Sequence, residues 1–258
     1  MIRLPRMLLG LGATLLVLAA PAGAQEKLKI GTEAAYKPFA WVLPNGDLTG
    51  FDIDITKALC AEMKVECTIV NQAYDGLIPA LNVKKIDAII ASMSITPERE
   101  KAIDFAGPYY LAPAMFIGPK GSDIAITPAG LSGKFVGVQR GTTMEKYVNA
   151  NFSKATVQSY DTLEAAGLDL TSGRVDVVFA DGIVLQDFLN SKDGAGFERL
   201  GEPIYDPEML GIGAGIGIRK GDEALKTKFN DALKAVIASG EYAKINEKYV
   251  PGVSILPK

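Results

Sequence analysis

From residue 28 onward, short apolar and β-branched runs alternate with segments of helical period, a pattern that restricts the fold to the α/β class with parallel strands. The strand-like runs are 28–31, 67–71, 88–91, 135–138, 156–160 and 175–180. Between them, 52–63 places Ile53, Thr56, Leu59 and Cys60 on one helical face. Segment 161–171 opens with Asp161 as cap and Glu164 three residues on. The turn Pro44-Asn45-Gly46-Asp47 joins two short extended pieces. A long helix over 222–239 stops at Gly240, and a second runs to about Tyr249.

No Gly/Ser/Pro linker cuts the chain into independent halves. Two short stretches are the candidate crossings: Tyr110-Leu111-Ala112-Pro113-Ala114, and 204–213, where Pro203 and Pro207 interrupt structure before a Gly-rich strand. Together they predict a first lobe from 25–111 plus 205–258, a second from 112–204, and a hinged cleft between them.

The first two dozen residues read as an export signal. Arg3 and Arg6 precede an apolar run over 7–20, and Ala22-Gly23-Ala24 supplies a small-x-small cleavage pattern. The run is shorter than the roughly 20 residues a membrane anchor needs, so cleavage after Ala24 and an extracytoplasmic product are expected. In an oxidising compartment Cys60 and Cys67 can pair, joining a helix end to the next strand; a redox dithiol would want C-x-x-C spacing, which is absent.

Composition removes several function classes. The chain has no histidine and only two cysteines, which excludes imidazole bases, Ser-His-Asp systems, zinc sites that need a histidine and all-cysteine zinc sites. With 27 Lys+Arg against 30 Asp+Glu and no basic run, nucleic-acid binding by charge has no support. The run from Gly211 to Gly217 fails the G-x-G-x-x-G test, because Ile216 and Ile218 stand at the third-glycine positions and a strand follows it. No pattern calls for a cofactor or a metal.

In α/β sheets ligands bind beyond the carboxyl ends of strands. Those positions hold Thr32-Glu33, Ser92-Met93-Ser94, Gln139-Arg140-Gly141-Thr142-Thr143 and Asp181, two groups from each lobe. Ser92, Ser94, the helix opening near Thr143, and Arg99 after Thr96-Pro97 are anion donors, while Asp181 and Glu33 accept cations, so the cleft suits a zwitterion. Bland readings stand beside these. Glu98-Arg99-Glu100-Lys101 resembles a solvated helix face, Asp181 could be only a helix cap, and Tyr36 and Tyr74 could be core aromatics.

The chain resembles periplasmic solute-binding proteins of ABC amino-acid importers, especially the lysine/arginine/ornithine- and histidine-binding type. The matching stretches are Ile30-Gly31-Thr32-Glu33 with Tyr36-x-Pro38-Phe39, Gly50-Phe51-Asp52-Ile53-Asp54, Leu77-Ile78-Pro79, Asp87-Ala88-Ile89-Ile90, Ser94-Ile95-Thr96 with Arg99, Gly141-Thr142-Thr143 and Arg219-Lys220-Gly221-Asp222. The resemblance implies the type II periplasmic binding-protein fold, a monomer that hands its ligand to an inner-membrane permease, and no catalysis. It also places a disulfide at Cys60 and Cys67.

By resemblance, Arg99 holds the ligand α-carboxylate with Ser94 and the Thr143 backbone, and Asp181 and Ser92 take the α-ammonium. Tyr36 and Tyr74 flank the side chain, Glu33 meets a distal cation, and Ala91, Met93, Gln139 and Thr142 complete the site. Three positions depart from the pattern: Ala91 replaces the usual Ser, Met144 the usual Gln, and Glu33 is one methylene longer than the usual Asp. A larger pocket makes an arginine-derived opine such as octopine or nopaline an alternative ligand. Exported arogenate or prephenate dehydratases share the fold, and Asp181 would be their candidate acid.

Overall fold

The computed structural model describes residues 26–257, so the expected export signal and the expected cleavage after Ala24 lie outside the described residues. Two five-stranded sheets organise the chain. The first has order β5-β1-β6-β13-β7, from β1 (Lys27–Thr32), β5 (Glu66–Asn71), β6 (Ala88–Ile89), β7 (Ile103–Tyr110) and β13 (Ala214–Arg219). The second has order β10-β9-β11-β8-β12, from β8 (Ala114–Pro119), β9 (Phe135–Gln139), β10 (Thr156–Tyr160), β11 (Val177–Asp181) and β12 (Phe197–Ile204). Three short strands, β2 (Ala35–Tyr36), β3 (Ala40–Val42) and β4 (Leu48–Thr49), make a small antiparallel sheet.

The sheets are mixed: the six strand-like runs of the sequence pair in parallel as expected, and further strands add antiparallel pairings. β1 pairs in parallel with β5 and β6, and β9 with β10 and β11, but β13 runs antiparallel to β6 and β7, and β8 antiparallel to β11 and β12. The reversed strands are the ones that enter a sheet from a crossing. A strand that starts at the cleft has to run away from it, whereas the others end there.

Helices cover the sheets: α1 (Phe51–Met63), α2 (Leu77–Asn82), α3 (Pro97–Glu100), α4 (Thr143–Asn151), α5 (Leu163–Thr171), α6 (Gly182–Asn190), α7 (Glu223–Ala238) and α8 (Glu241–Tyr249). Phe51, Ile55 and Leu59 of α1 are fully buried in one apolar cluster with Ile30 and with Phe229 of α7. Each such side chain contributes about 1.5 to 3 kcal/mol by leaving water. Gly50 starts α1 at φ 132°, where a Cβ would lie 2.1 Å from the Phe39 carbonyl oxygen, so the close approach of β3 to α1 requires glycine. Cys60 and Cys67 are joined, with 6.1 Å between their Cα atoms, tying α1 to β5.

One cap differs from the sequence expectation. Thr162, not Asp161, caps α5 by accepting from the Ala165 N–H at 3.2 Å, while Asp161 pairs with Arg140 at 2.6 Å. Both residue types suit an N-cap, and the nearby guanidinium draws the carboxylate off the helix.

Candidate ligand-binding cleft

The strand ends converge on a cavity between the two large sheets. Tyr36, Tyr74, Ala91, Ser92 and Ser94 line it from the side of the first sheet, and Gln139, Thr142, Thr143, Met144 and Asp181 from the side of the second. A second cavity lies at the crossings, beside Leu111 and Tyr205, and shares Ser94, Met144 and Asp181 with the first.

Three residues expected at the site do not line either cavity. Met93 is 1% exposed and packs in the apolar cluster with Leu77 and Ile95. Ser92, at φ 52°, breaks the extended run, and between it and Ser94 the Met93 side chain is turned into the core. Arg99 and Glu33 are both buried and neither lines the cavity.

Arg99 follows the Thr96 cap of α3, whose hydroxyl accepts from the Arg99 N–H at 3.2 Å. Its guanidinium donates to the Ser94 carbonyl at 2.9 Å, to the Tyr74 hydroxyl at 3.1 Å and to the Gly141 carbonyl at 3.3 Å. It stands 5.7 Å from the Tyr74 ring centre. Among the described residues it makes no ion pair, although it is only 7% exposed. A buried guanidinium held by carbonyls and a ring keeps its capacity for a carboxylate.

Asp181 ends β11 and caps α6. Its Oδ1 accepts from the Ile183 N–H at 2.8 Å and its Oδ2 from the Tyr110 hydroxyl at 3.3 Å. Burial pushes its carboxyl up to about 6, against the pull of those hydrogen bonds. The cap reading and the cleft reading of this residue therefore both apply. Burial also pushes the Tyr36 phenol upward, and the Asp181 charge adds to it.

Glu33, directly after β1, is 5% exposed, and its Oε1 has no hydrogen-bond partner. Burial pushes its carboxyl up to about 7; the Gln139 side chain opposes the shift and the Glu164 charge adds to it. Gln139 itself is buried and donates to the Asp161 carbonyl at 3.2 Å. Thr142 caps α4 by accepting from the Glu145 N–H at 3.2 Å, so the first N–H groups of that helix open beside the cavity.

Sequence reasoning missed Tyr110, Asp52 and Tyr109. Tyr110 appears only within a crossing, yet its hydroxyl bonds Asp181. Asp52 lies in the first turn of α1, where an acid is normally read as a solvated partner of the helix dipole. No pattern in the chain signals that it is buried against the Ser92 hydroxyl, 3.0 Å away.

The two sides touch across the cleft. Lys146 of α4 pairs with Glu98 of α3 at 2.6 Å, and Gly141, at φ 75°, would bring a Cβ within 3.0 Å of the Asp75 Cβ. Among the described residues no helix is long and apolar enough to cross a membrane, and no group of His, Cys, Asp or Glu side chains is placed to hold a metal ion.

Two α/β lobes joined by two crossings, with a polar cleft between them, make a type II periplasmic binding protein. The chain belongs to the bacterial extracellular solute-binding proteins, family 3, and matches that family over residues 28–252. It is 46% identical over 244 residues to the L-arginine-binding protein of Pseudomonas aeruginosa, covering 93% of this chain and 94% of that one. It is 42% identical over 230 residues to ABC transporter arginine-binding protein 1 of Escherichia coli, covering 89% and 93%. Among solved structures, a Salmonella typhimurium periplasmic binding protein described for high arginine specificity superposes with a TM-score of 0.81 at 39% identity, over 87% of this chain and 99% of that one.

Proposed function

We propose that this protein captures a cationic α-amino acid in the periplasm, arginine before lysine, ornithine or histidine, and delivers it as a monomer to an ABC permease of the inner membrane, without a catalytic step. One observation carries the reading. A buried guanidinium without a carboxylate and a buried carboxylate with an unpartnered oxygen flank one cavity, and a zwitterion with a distal positive charge supplies the partner each of them lacks.

In this reading Arg99, Ser94 and the Thr143 N–H hold the α-carboxylate, and Asp181 with Ser92 holds the α-ammonium. Tyr36 and Tyr74 flank the aliphatic stem, and Glu33 with Gln139 meets the distal cation. The lobes, 25–111 with 205–258 and 112–204, pivot near Leu111 and Glu208. The relatives described above are binding proteins named for arginine, which gives the opine and dehydratase alternatives no added weight.

A thermal-shift panel on protein stripped of ligand tests the reading, using arginine, lysine, ornithine, histidine, citrulline and octopine with product analysis. Arginine at 100 times its dissociation constant is expected to stabilise by about 2.7 kcal/mol, or roughly 5 to 10 °C. A larger response to octopine than to arginine, or turnover of any compound, would overturn it.

A further inference from the structure

Behind the cavity wall lies a closed set of hydrogen bonds that the binding reading does not use. Asp52 is 1% exposed; its Oδ2 accepts from the Ser92 hydroxyl at 3.0 Å and its Oδ1 from the Tyr109 hydroxyl at 2.9 Å. The Tyr109 oxygen in turn accepts from the Ser92 N–H at 3.0 Å, and the Tyr242 hydroxyl fixes Tyr109 by donating to its carbonyl at 2.6 Å. Ser92 sits at φ 52°, a left-handed conformation that non-glycine residues rarely adopt. Asp52 and Tyr109 thus hold both polar hydrogens of a strained residue that lines the cavity.

A serine hydroxyl has one hydrogen and two lone pairs. With the hydrogen committed to a carboxylate, only lone pairs remain for the cavity. We infer that Asp52 is a positioning residue for the ligand's α-ammonium: it holds the Ser92 hydroxyl hydrogen away from the cavity, so that the ligand meets this oxygen as an acceptor. This deepens the binding reading and rests on it. It also explains a buried acid in the first turn of α1: the helix end aims a carboxylate at the segment that follows β6.

Asparagine at position 52 keeps the shape but offers one acceptor where two hydroxyl groups need one each. Asp52→Asn is therefore expected to weaken arginine binding about 10-fold in calorimetric titration. It should weaken argininic acid, the analogue with a hydroxyl in place of the ammonium, by less than about 3-fold, since a hydroxyl also accepts. In a Ser92→Ala background the same change should alter arginine affinity by less than about 2-fold. An Asp52 that acts only through charge or stability would weaken arginine equally in both backgrounds, and that result, or no loss in the wild-type background, overturns the assignment. Tyr109→Phe leaves the Asp52–Ser92 bond in place and should retain most of the preference for arginine over argininic acid. If Asp52→Asn fails to fold, loss of that preference in Tyr109→Phe overturns the assignment instead. A wild-type protein that binds no amino acid would fail the binding reading itself, and this assignment with it.

Discussion

Asp181 and Glu33 are both buried carboxylates beside one cavity, and their surroundings differ. Asp181 accepts from the Ile183 N–H and the Tyr110 hydroxyl and is pushed up to about 6; Glu33 keeps an oxygen without a partner and is pushed up to about 7. The Asp181 corner is fixed by backbone and a neighbouring phenol before any ligand arrives. The Glu33 corner is left for the ligand to complete. In the proposed binding mode, recognition common to all amino acids would rest on preorganised groups, and selectivity on a deficit that a cation relieves.

The strongest challenge to this division is Arg99→Ala. If Arg99 belongs to the common part, its loss should weaken every ligand alike, by about 2 to 5 kcal/mol, or roughly 30-fold to several-thousand-fold. Titrations with arginine and citrulline check it, and a loss confined to arginine would break the comparison.

Stability against pH separates the two carboxylates next. Between 4.5 and about 7, folded ligand-free protein keeps a proton on Glu33 that the unfolded chain has released, so this group makes stability fall as pH rises through that window. The full effect is about 3 kcal/mol. Asp181 acts with the same sign in the lower window from 3.8 to about 6. Denaturant unfolding of wild type, Glu33→Gln and Asp181→Asn from pH 4 to pH 8 should show each substitution removing part of the fall in stability, with the Glu33→Gln change reaching to higher pH. Coincident windows would remove the distinction.

Glu33→Gln keeps the shape and removes the charge. Discrimination between arginine and citrulline should fall by about 1 to 3 kcal/mol while citrulline affinity stays nearly constant. Equal weakening of both ligands would mean that Glu33 is not selective. The smallest effect is expected outside the cavity: the Lys146–Glu98 pair is exposed, so Lys146→Ala should cost about 0.2 to 1 kcal/mol of affinity for any ligand, seen as faster dissociation that high salt mimics.

Much of this was legible in the chain. Strand ends are where an α/β sheet exposes polar groups, so reading the residues after each apolar run led to Glu33, Ser92, Ser94, Gln139, Thr142, Thr143 and Asp181. The mixed sheets were not legible, because β7 and β8 flank a crossing whose residues carry no sign of direction. The facing of Met93 was not legible, because it depends on the backbone at Ser92, which is left-handed rather than extended. Arg99 among four charged residues looked like a solvated face; α3 is a single turn, too short to present one, and its guanidinium is buried against Ser94 and Tyr74.

The interrupted layout of the first lobe also sets the order in which the molecule can be assembled. The second lobe's sheet, β8 to β12, comes from one continuous stretch, whereas β13, which separates β6 from β7, reaches its place only after all of that stretch. Ser94 bridges to Ala214, the Ile95 N–H bonds the Gly213 carbonyl, and the Gly215 N–H bonds the Met93 carbonyl. The loop that presents Ser92 and Ser94 is thus seated by the returning strand. During synthesis or refolding, the sheet β8 to β12 can form before Ala214 is made, whereas the first sheet cannot be completed without β13, whose pairing with β6 and β7 is long-range. Competence to bind is therefore acquired last, and a chain cut short before Ala214 would carry a nearly complete set of site residues with no means of bringing them into register.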